Sequence, residues 1–318
     1  MRKKVKDQML ELAEKLGVPV FEQISPLNAL QFNYLRTIDL LPEMIIMMRS
    51  LVAKEAFSFR REPITVIKNG LLFSFQNVFN DGQENVADLA SNLQQERSHV
   101  RITPLHMTSE VRFAKQAHIK QITIIIEMAY LIRFLGKDRQ PFGYLFDAES
   151  TFWIEEFMSP EIASCIDQML NSSNTISFPD LFYSMKALEL LYFLFNNLSR
   201  RESVSHQQVT RDEINKVYEV RNAMAASLDR ALSISELVKI SGMNELKLRK
   251  VFTQVFGKGL YAYFQYIRME EAARLLREEH LSVSEVGYRL GFSNLSHFGR
   301  LFEEHKGMKP KKWSSQNH

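Results

Sequence analysis

The chain has 318 residues, of which 45% are hydrophobic and 24% charged, and its formal net charge is +3. This length predicts about two domains, and the hydrophobic content is ample for globular cores. The single cysteine, Cys165, excludes an intramolecular disulfide and predicts a protein of the reducing cytoplasm. No signal-peptide pattern opens the chain, and its longest apolar run, residues 122–135, is too short and too charged to predict a membrane span.

The first part of the chain, residues 1–206, is predicted to be a mixed domain that begins with a peripheral helical segment over residues 1–42. Residues 43–127 then hold short β-rich segments separated by turn residues such as Asn69 and Gly70, a pattern typical of a small antiparallel sandwich or barrel. The β-rich segments are MIIMMRSLVA, FSFRRE, GLLFSFQNVF, HVRITPLHMT, EVRFA and HIKQITIIIE.

Helical periodicity replaces the β pattern over residues 128–199. Its longest element is predicted from Pro179 to Leu198, where apolar side chains surround most of the helix and favour either burial or dimerisation. The polar stretch 198–208 is predicted to be a linker between the two domains.

The chain carries no motif that predicts catalysis or a metal site. It contains no P-loop, GxSxG, CxxC or HExxH motif, and its single cysteine excludes a zinc-bound cysteine cluster. His99, His106 and His118 lack the close spacing of metal ligands. We therefore predict no catalytic residue, no metal and no cofactor.

One segment occurs twice near the C-terminus. Residues 232–242 read LSISELVKISG and residues 281–291 read LSVSEVGYRLG; the match resumes after the glycine, for example Phe252 with Phe302. A repeat of this length indicates one supersecondary unit used twice. Each copy predicts a short helix, a glycine turn and a second helix, which is a helix-turn-helix.

Local signals support both copies. Two capping boxes are predicted, Ser233 with Glu236 and Ser282 with Glu285. Gly242 and Gly291 stand where a tight turn requires positive φ or a close approach of helices. A continuous helical pattern over residues 260–279 separates the copies and predicts a linker helix that keeps them at a fixed distance.

Charge is distributed unequally between the two parts. Residues 207–318 hold 18 Lys and Arg against 13 Asp and Glu, whereas residues 1–206 hold 22 against 24. The part that contains the repeat is therefore positive, as neutralisation of DNA phosphates requires.

The segment RMEEAARLLREEHLSVSEVGYRLGFSNLSHFGRLFEEHKGMKP, from Arg268 to Pro310, resembles the AraC/XylS family of bacterial transcription regulators. The resemblance covers roughly residues 210–313. It implies that each unit places its second helix in the major groove, and that the two units lie about one helical turn, ~34 Å, apart.

The resemblance also implies an N-terminal cupin-like β-barrel that binds a small effector and forms a homodimer. The stretches FMSPEIASCIDQML and MKALELLYFLFNNL look like helices of the branch that regulates siderophore uptake. Polar strand residues are hypothesised to fix an effector inside the barrel, namely Arg101, His106, Arg112 and Lys120.

Helix geometry and the family pattern together predict the DNA-binding residues. In the first unit these are Asn244, Leu246, Arg249 and Lys250, and in the second Asn294, Leu295, Ser296 and Arg300. Arg249 is suited to bidentate hydrogen bonding with guanine, and Leu246 to contact with a thymine methyl group. Gly299 departs from the pattern, because it removes a side chain from a base-facing position.

The sequence thus predicts an α+β chain: a cupin-like barrel with flanking helices over residues 1–206, and an all-α domain of two helix-turn-helix units over residues 207–318. The function predicted is that of a sequence-specific, effector-responsive transcription activator, with double-stranded DNA, an unidentified small molecule and RNA polymerase as partners. Two alternatives are a cupin-type enzyme that its helix-turn-helix domain targets to DNA, and an effector-independent DNA-architectural protein.

Overall fold

The computed structural model describes residues 30–41, 43–65, 67, 69–80, 98–147, 151–171 and 176–315. The chain divides into two compact units, the first ending at Thr210 and the second beginning at Arg211. The first unit combines antiparallel sheets with helices, and the described part of the second is helical.

Eight strands lie in the described part of the first unit, and every pair among them is antiparallel. The larger sheet has six strands in the order β1-β2-β7-β4-β5-β8, and β3 pairs with β6 in a separate two-stranded sheet. The strands are β1 Leu30–Leu41, β2 Met44–Ala53, β3 Phe57–Arg61, β4 Gly70–Asn80, β5 His99–Pro104, β6 Ser109–Phe113, β7 Ala117–Glu127 and β8 Ile154–Phe157.

The strands from β2 to β7 confirm the six β-rich segments of the sequence. The predicted closed barrel is not found among the described residues, because β1 and β8 are the two ends of the six-stranded sheet and do not pair with each other. The first unit is therefore an open antiparallel sheet with helices.

The helical segment predicted over residues 1–42 is wrong for residues 30–41, which form β1 against β2. Leu30, Phe32 and Tyr34 alternate there with polar residues, and this period of two is typical of a strand with one buried face. Residues 1–29 lie outside the described ranges.

The two faces of the large sheet have opposite chemistry. One face is apolar and packs against the helices of the first unit; Phe73 of β4, for example, meets Phe195 at 6.3 Å between ring centroids. The other face carries buried polar side chains, namely Ser74, Gln76, His99, Arg101, Thr103, Gln121, Thr123 and Glu155. Alternation along each strand places the two sets on opposite sides.

The helices on the apolar face are α1 Met128–Leu135, α2 Pro160–Asn171 and α3 Pro179–Leu198, and a 3-10 segment, Gly136–Leu145, follows α1. Helices and the 3-10 segment thus occupy much of the predicted helical region, which also contains the strand β8, paired with β5. The sequence did not predict this strand, because two consecutive glutamates are atypical of a buried strand. Glu155 pairs with Arg101 and Glu156 with Arg201, and these long-range ion pairs permit their burial.

The stretch predicted as a linker, residues 198–208, is attached to the first unit. Arg201 forms a buried ion pair with Glu156 at 2.9 Å, and the ring of His206 stacks on Tyr144 at 3.8 Å. Burial beside Arg201 lowers the pKa of His206 to about 4, so the ring is neutral at physiological pH. The segment is therefore part of the fold of the first unit rather than a solvated tether.

The second unit contains seven helices in its described residues: α4 Arg211–Ala226, α5 Ile234–Ser241, α6 Glu245–Phe256, α7 Leu260–Arg277, α8 Val283–Arg289, α9 Leu295–Lys306 and α10 Pro310–Ser315. Helix α7 contributes to two cores. Tyr263 packs against Phe252 at 5.2 Å, whereas Ala272 and Leu276 belong to the cluster around Phe298. At 1.5 Å per residue these contacts lie about 20 Å apart along one helix, so α7 sets the separation of the helix-turn-helix units.

Both predicted turn glycines adopt positive φ, +63° at Gly242 and +77° at Gly291. The two positions differ in their surroundings. A Cβ at Gly291 would lie 1.7 Å from the carbonyl oxygen of Asp229, whereas nothing stands within 4 Å of a Cβ at Gly242. The second turn thus requires glycine both for its backbone conformation and for a close approach.

We expect Gly291→Ala to destabilise the second unit by about 3 kcal/mol or more, because the methyl group collides with a backbone carbonyl at an unfavourable φ. Gly299→Ala is the matched control. It lies inside α9 with nothing near the added methyl group, so it should stabilise the helix by roughly 1 kcal/mol. Chemical denaturation followed by far-UV circular dichroism measures both; equal effects would contradict this account.

Candidate nucleic-acid interface

Both helix-turn-helix units are capped at both of their helices. Ser233 and Ser282 each accept a hydrogen bond from the backbone N–H three residues on, and Glu236 and Glu285 reach back to the serine N–H groups. These contacts confirm the two predicted capping boxes. They fix the starts of α5 and α8, against which the second helices pack.

The second helices begin in the same way in the two copies. The side chain of Asn244 accepts from the backbone N–H of Lys247 at 2.9 Å, and that of Asn294 accepts from His297 at 3.1 Å. Both asparagines are exposed. Other N–H groups of each first turn remain available for an anion, as is common at helix N-termini.

Helix α6 presents an apolar group and a charged group on its exposed side. Leu246 is 80% exposed, an unusual state for a leucine on a well-packed helix. Arg249 is also exposed, and its Nε donates to the carboxylate of Glu245 at 2.8 Å, one turn earlier. Lys250 lies beside it and is half-buried. The structure thus brings the predicted residues of the first unit together on one surface.

Helix α9 presents a smaller exposed surface. Ser296 and Arg300 are exposed. Leu295 is half-buried, and its side chain packs on Gly287 of α8, because a Cβ at that glycine would lie 2.5 Å from the leucine methyl carbon. Leu295 therefore helps to hold α9 against α8, and it is less accessible to a ligand than Leu246. Gly299 leaves open space on the same side.

The sequence did not predict the contacts of two further residues in the second compact unit. Lys247 lies one residue from Leu246 and pairs with Glu213 of α4 at 2.5 Å. Arg268 was noted only as part of the family pattern; it is buried, and its guanidinium donates to the carbonyl of Leu290 and lies 3.9 Å from the ring centroid of Phe292. Both are long-range contacts, which helical periodicity does not reveal.

The polar strand residues hypothesised to bind an effector are not gathered at one place. Arg101 lies on the polar face of the sheet, whereas Lys120 is on the helix-covered face and pairs with Asp167 of α2 at 2.7 Å. His106 is exposed, and the side chain of Arg112 lies outside what the structure describes. Of the three described side chains, Arg101 remains a candidate of this kind.

Within the described ranges no group of three or more His, Cys, Asp or Glu side chains could hold a metal ion. Burial beside Glu189 raises the pKa of the Cys165 thiol to about 12. None of the described helices combines the length and the apolar character needed to cross a bilayer.

Comparison with known proteins places residues 237–316 in a family described as a helix-turn-helix domain. The regulatory protein PchR of Pseudomonas aeruginosa is 33% identical over 127 residues, which are 40% of this chain and 40% of PchR. The transcriptional activator RhaR of Cronobacter sakazakii is 30% identical over 94 residues, 30% of this chain and 33% of RhaR. The C-terminal domain is an AraC-type DNA-binding domain.

A solved structure of a probable AraC family transcriptional regulator from Rhodopseudomonas palustris is 26% identical; the match covers 33% of this chain and 98% of that one, with a TM-score of 0.30. The matches to PchR and RhaR each span less than half of the relative's length. The family match itself lies within the second compact unit, at residues 237–316.

The two capping boxes of the AraC-type domain differ because Arg230 pairs with the glutamate of the first box. The two glutamates should therefore contribute differently to the pH dependence of stability. Arg230, at 3.1 Å, and the backbone N–H of Ser233 hold the pKa of Glu236 at about 2, below its ordinary value of 4.5. The contacts to Ser282 also lower the pKa of Glu285, which has no arginine partner among the described residues.

A carboxylate whose pKa is lowered on folding stabilises the protein above its ordinary pKa, and this contribution is lost as the pH falls through the folded value. We expect Glu236→Gln to lower the unfolding midpoint at neutral pH and to flatten its decline between about pH 4.5 and pH 2. Glu285→Gln should lower the midpoint less and flatten its decline less. Thermal unfolding across this range measures both, and a larger effect at Glu285 would refute the role assigned to Arg230.

Proposed function

We propose that the chain is a sequence-specific transcription regulator that inserts α6 and α9 into successive major grooves of DNA and activates transcription in response to a small effector. The observation that carries the proposal is the pair of helix-turn-helix units built on one rigid helix, α7. A fixed separation suits two readers that must meet successive turns of the same duplex. Activation would require contact with RNA polymerase.

The first helix-turn-helix unit, α5 and α6, reads the bases directly. Arg249 is held by Glu245 at 2.8 Å, so its planar guanidinium is oriented before DNA arrives and retains donors for O6 and N7 of guanine. Leu246, 80% exposed, would lose its unfavourable hydration on contact with a thymine methyl group. Lys250 and Asn244 lie beside these residues and would contact the flanking backbone.

The second helix-turn-helix unit, α8 and α9, mainly anchors the domain to the DNA. Gly299 occupies the position equivalent to Arg249, so α9 lacks the bidentate donor of α6. Arg300 and Ser296 remain exposed for polar contacts, and Asn294 with the first turn of α9 would bind a phosphate. Leu295 acts through its packing on Gly287, which positions α9.

We expect Arg249→Ala to cost roughly 1–3 kcal/mol on the preferred site and to relax preference at one or two base pairs. Lys311→Ala, an exposed lysine of α10, is the comparison variant and should weaken specific and non-specific DNA alike, because a phosphate contact carries no sequence information. Selection of sites from a randomised duplex, followed by fluorescence anisotropy at several salt concentrations, measures both. Indistinguishable behaviour of the two variants would show that α6 does not read bases.

The two alternative functions, an enzyme targeted to DNA and a DNA-architectural protein, place different requirements on the N-terminal compact unit. An enzyme needs a constellation of reactive groups with matched geometry in that unit. An architectural protein needs no effector, and it would bind DNA with the same affinity whatever small molecule is present. The matched relatives PchR and RhaR are a regulatory protein and a transcriptional activator, which supports the regulator.

We further propose that the N-terminal compact unit forms a homodimer through α3. Its exposed apolar residues follow a spacing of four, three and four positions, which forms a narrow stripe of the kind that seals two-stranded helix pairs. They are Leu181, Met185, Leu188 and Tyr192, exposed by 60%, 62%, 40% and 67%. A second copy of the same helix offers an identical apolar stripe across a two-fold axis. The dimer would carry two AraC-type domains and raise affinity through effective concentration.

We expect Met185→Glu to convert a dimer to a monomer in sedimentation equilibrium at micromolar concentration, because it places a charge in the centre of the stripe. Asp180→Lys lies on the same helix outside the stripe and should leave the dimer intact. A wild-type chain that sediments as a monomer, or an equal effect of both variants, would refute the assignment of α3.

A further inference from the structure

The polar face of the six-stranded sheet is unusual because its side chains are buried. Gln121 of β7 donates to the hydroxyl of Ser74 on β4 at 2.6 Å, and Arg49 donates to Gln121 from β2. A sheet face that served only to support the fold would be stabilised more by apolar residues, since each buried polar group loses hydration. Buried polar groups can be retained because they bind a ligand, and two guanidinium groups meet at the end of this face, one from β3 of the two-stranded sheet and one from β5.

The first of these groups belongs to Arg61, the last residue of β3. Its Nε donates to the hydroxyl of Ser109 at 2.9 Å, and its Nη2 donates to the hydroxyl of Thr103 at 3.3 Å and to the carbonyl of Met107 at 3.0 Å. All three acceptors are neutral. Its Nη1 is buried and has no hydrogen-bond partner in the described part of the chain. Among the described residues no carboxylate pairs with Arg61.

The second guanidinium belongs to Arg101. This residue lies two positions before Thr103 on β5 and therefore projects from the same face. It pairs with Glu155 at 3.5 Å, and its guanidinium carbon lies 4.7 Å from the ring centroid of Trp153. Burial, together with the positive charge of Arg101, lowers the pKa of Arg61 to about 10. Two cations thus lie at this end of the face, and Arg61 has no carboxylate partner among the described residues.

We propose that Arg61 and Arg101 form the binding site for the carboxylate group of a small organic acid. The proposal rests on the effector part of the proposed function and specifies the chemical class of that effector. A carboxylate has two oxygens in the plane that a guanidinium fork requires, so it can accept from the free Nη1 of Arg61 and reduce the repulsion between the two cations. A neutral or cationic ligand could not supply the anionic partner that Arg61 lacks among the described residues.

The test uses acetate, the smallest probe that carries the carboxylate, and acetamide, its neutral analogue. Trp153 and Trp313 are the two tryptophans of the chain, so the full-length Trp313→Phe variant reports Trp153 alone. An anion bound to Arg101 should change the emission of the ring that this guanidinium covers. We expect saturable titration by acetate in a millimolar series at constant ionic strength, and no saturation by acetamide.

Arg61→Gln in the same background should weaken acetate binding by about tenfold or more, the cost of one charge-assisted contact. Arg60→Gln is the matched control: it removes the same charge from the adjacent residue, which is exposed and pairs with Glu62, and it should bind acetate as the parent does. Arg61→Lys retains the charge without the fork and should bind with intermediate affinity, which keeps the test decisive if Arg61→Gln does not fold.

Absence of saturation by acetate, equal response to acetamide, or unchanged affinity in both Arg61 variants would overturn the proposal. Circular dichroism of each variant confirms that the chain is folded. The assay contains no DNA, so its failure is distinguishable from failure of the DNA-binding function, which is measured by anisotropy on the same preparations.

Discussion

A single buried cation, the guanidinium of Arg268, joins the second helix-turn-helix turn to the helix that carries both units. It donates to the carbonyl of Leu290 at the end of α8, lies 3.9 Å from the ring centroid of Phe292, and donates to the side-chain oxygen of Gln265 at 3.2 Å. Burial lowers its pKa, because an apolar environment disfavours the charged form. An apolar side chain could fill the same volume, but it could not satisfy a backbone carbonyl that the turn leaves without a helical partner. Because α7 also packs on the first core through Tyr263, the position of the second turn is set relative to the first.

The two copies have kept this scaffold and diverged on their surfaces. Both have a capping box, a glycine with positive φ and an asparagine at the start of the second helix. At the position equivalent to Arg249, however, the second copy has Gly299, a poor helix former with open space around it. The residues that hold the helices together tolerate little change, whereas the exposed face contributes little to folding. Divergence there can alter recognition at small cost in stability.

The same distinction explains how much of the structure could be predicted from the sequence. Capping boxes, turn glycines and strand alternation act within a few residues, and all were visible in the chain. The strand β8 was not, because Glu155 and Glu156 are buried only with partners from distant segments, Arg101 and Arg201. The predicted barrel failed for a related reason: alternation identifies strands, but whether the first and last of them pair depends on twist and register across the whole sheet. The base-reading roles of Leu246 and its neighbours remain predictions, since exposure permits contact without demonstrating it.

The two units depart from the usual distribution of residues in opposite ways. The AraC-type domain exposes Leu246, an apolar side chain that folding would be expected to bury, and the N-terminal unit partly buries Arg61, a charged side chain that folding would be expected to expose. Each departure costs stability in the isolated protein. Each would be relieved by a partner of matching chemistry, a thymine methyl group in one case and a carboxylate in the other. In a chain whose local signals otherwise agree with its fold, a local violation of this kind is better explained by binding than by imperfect folding.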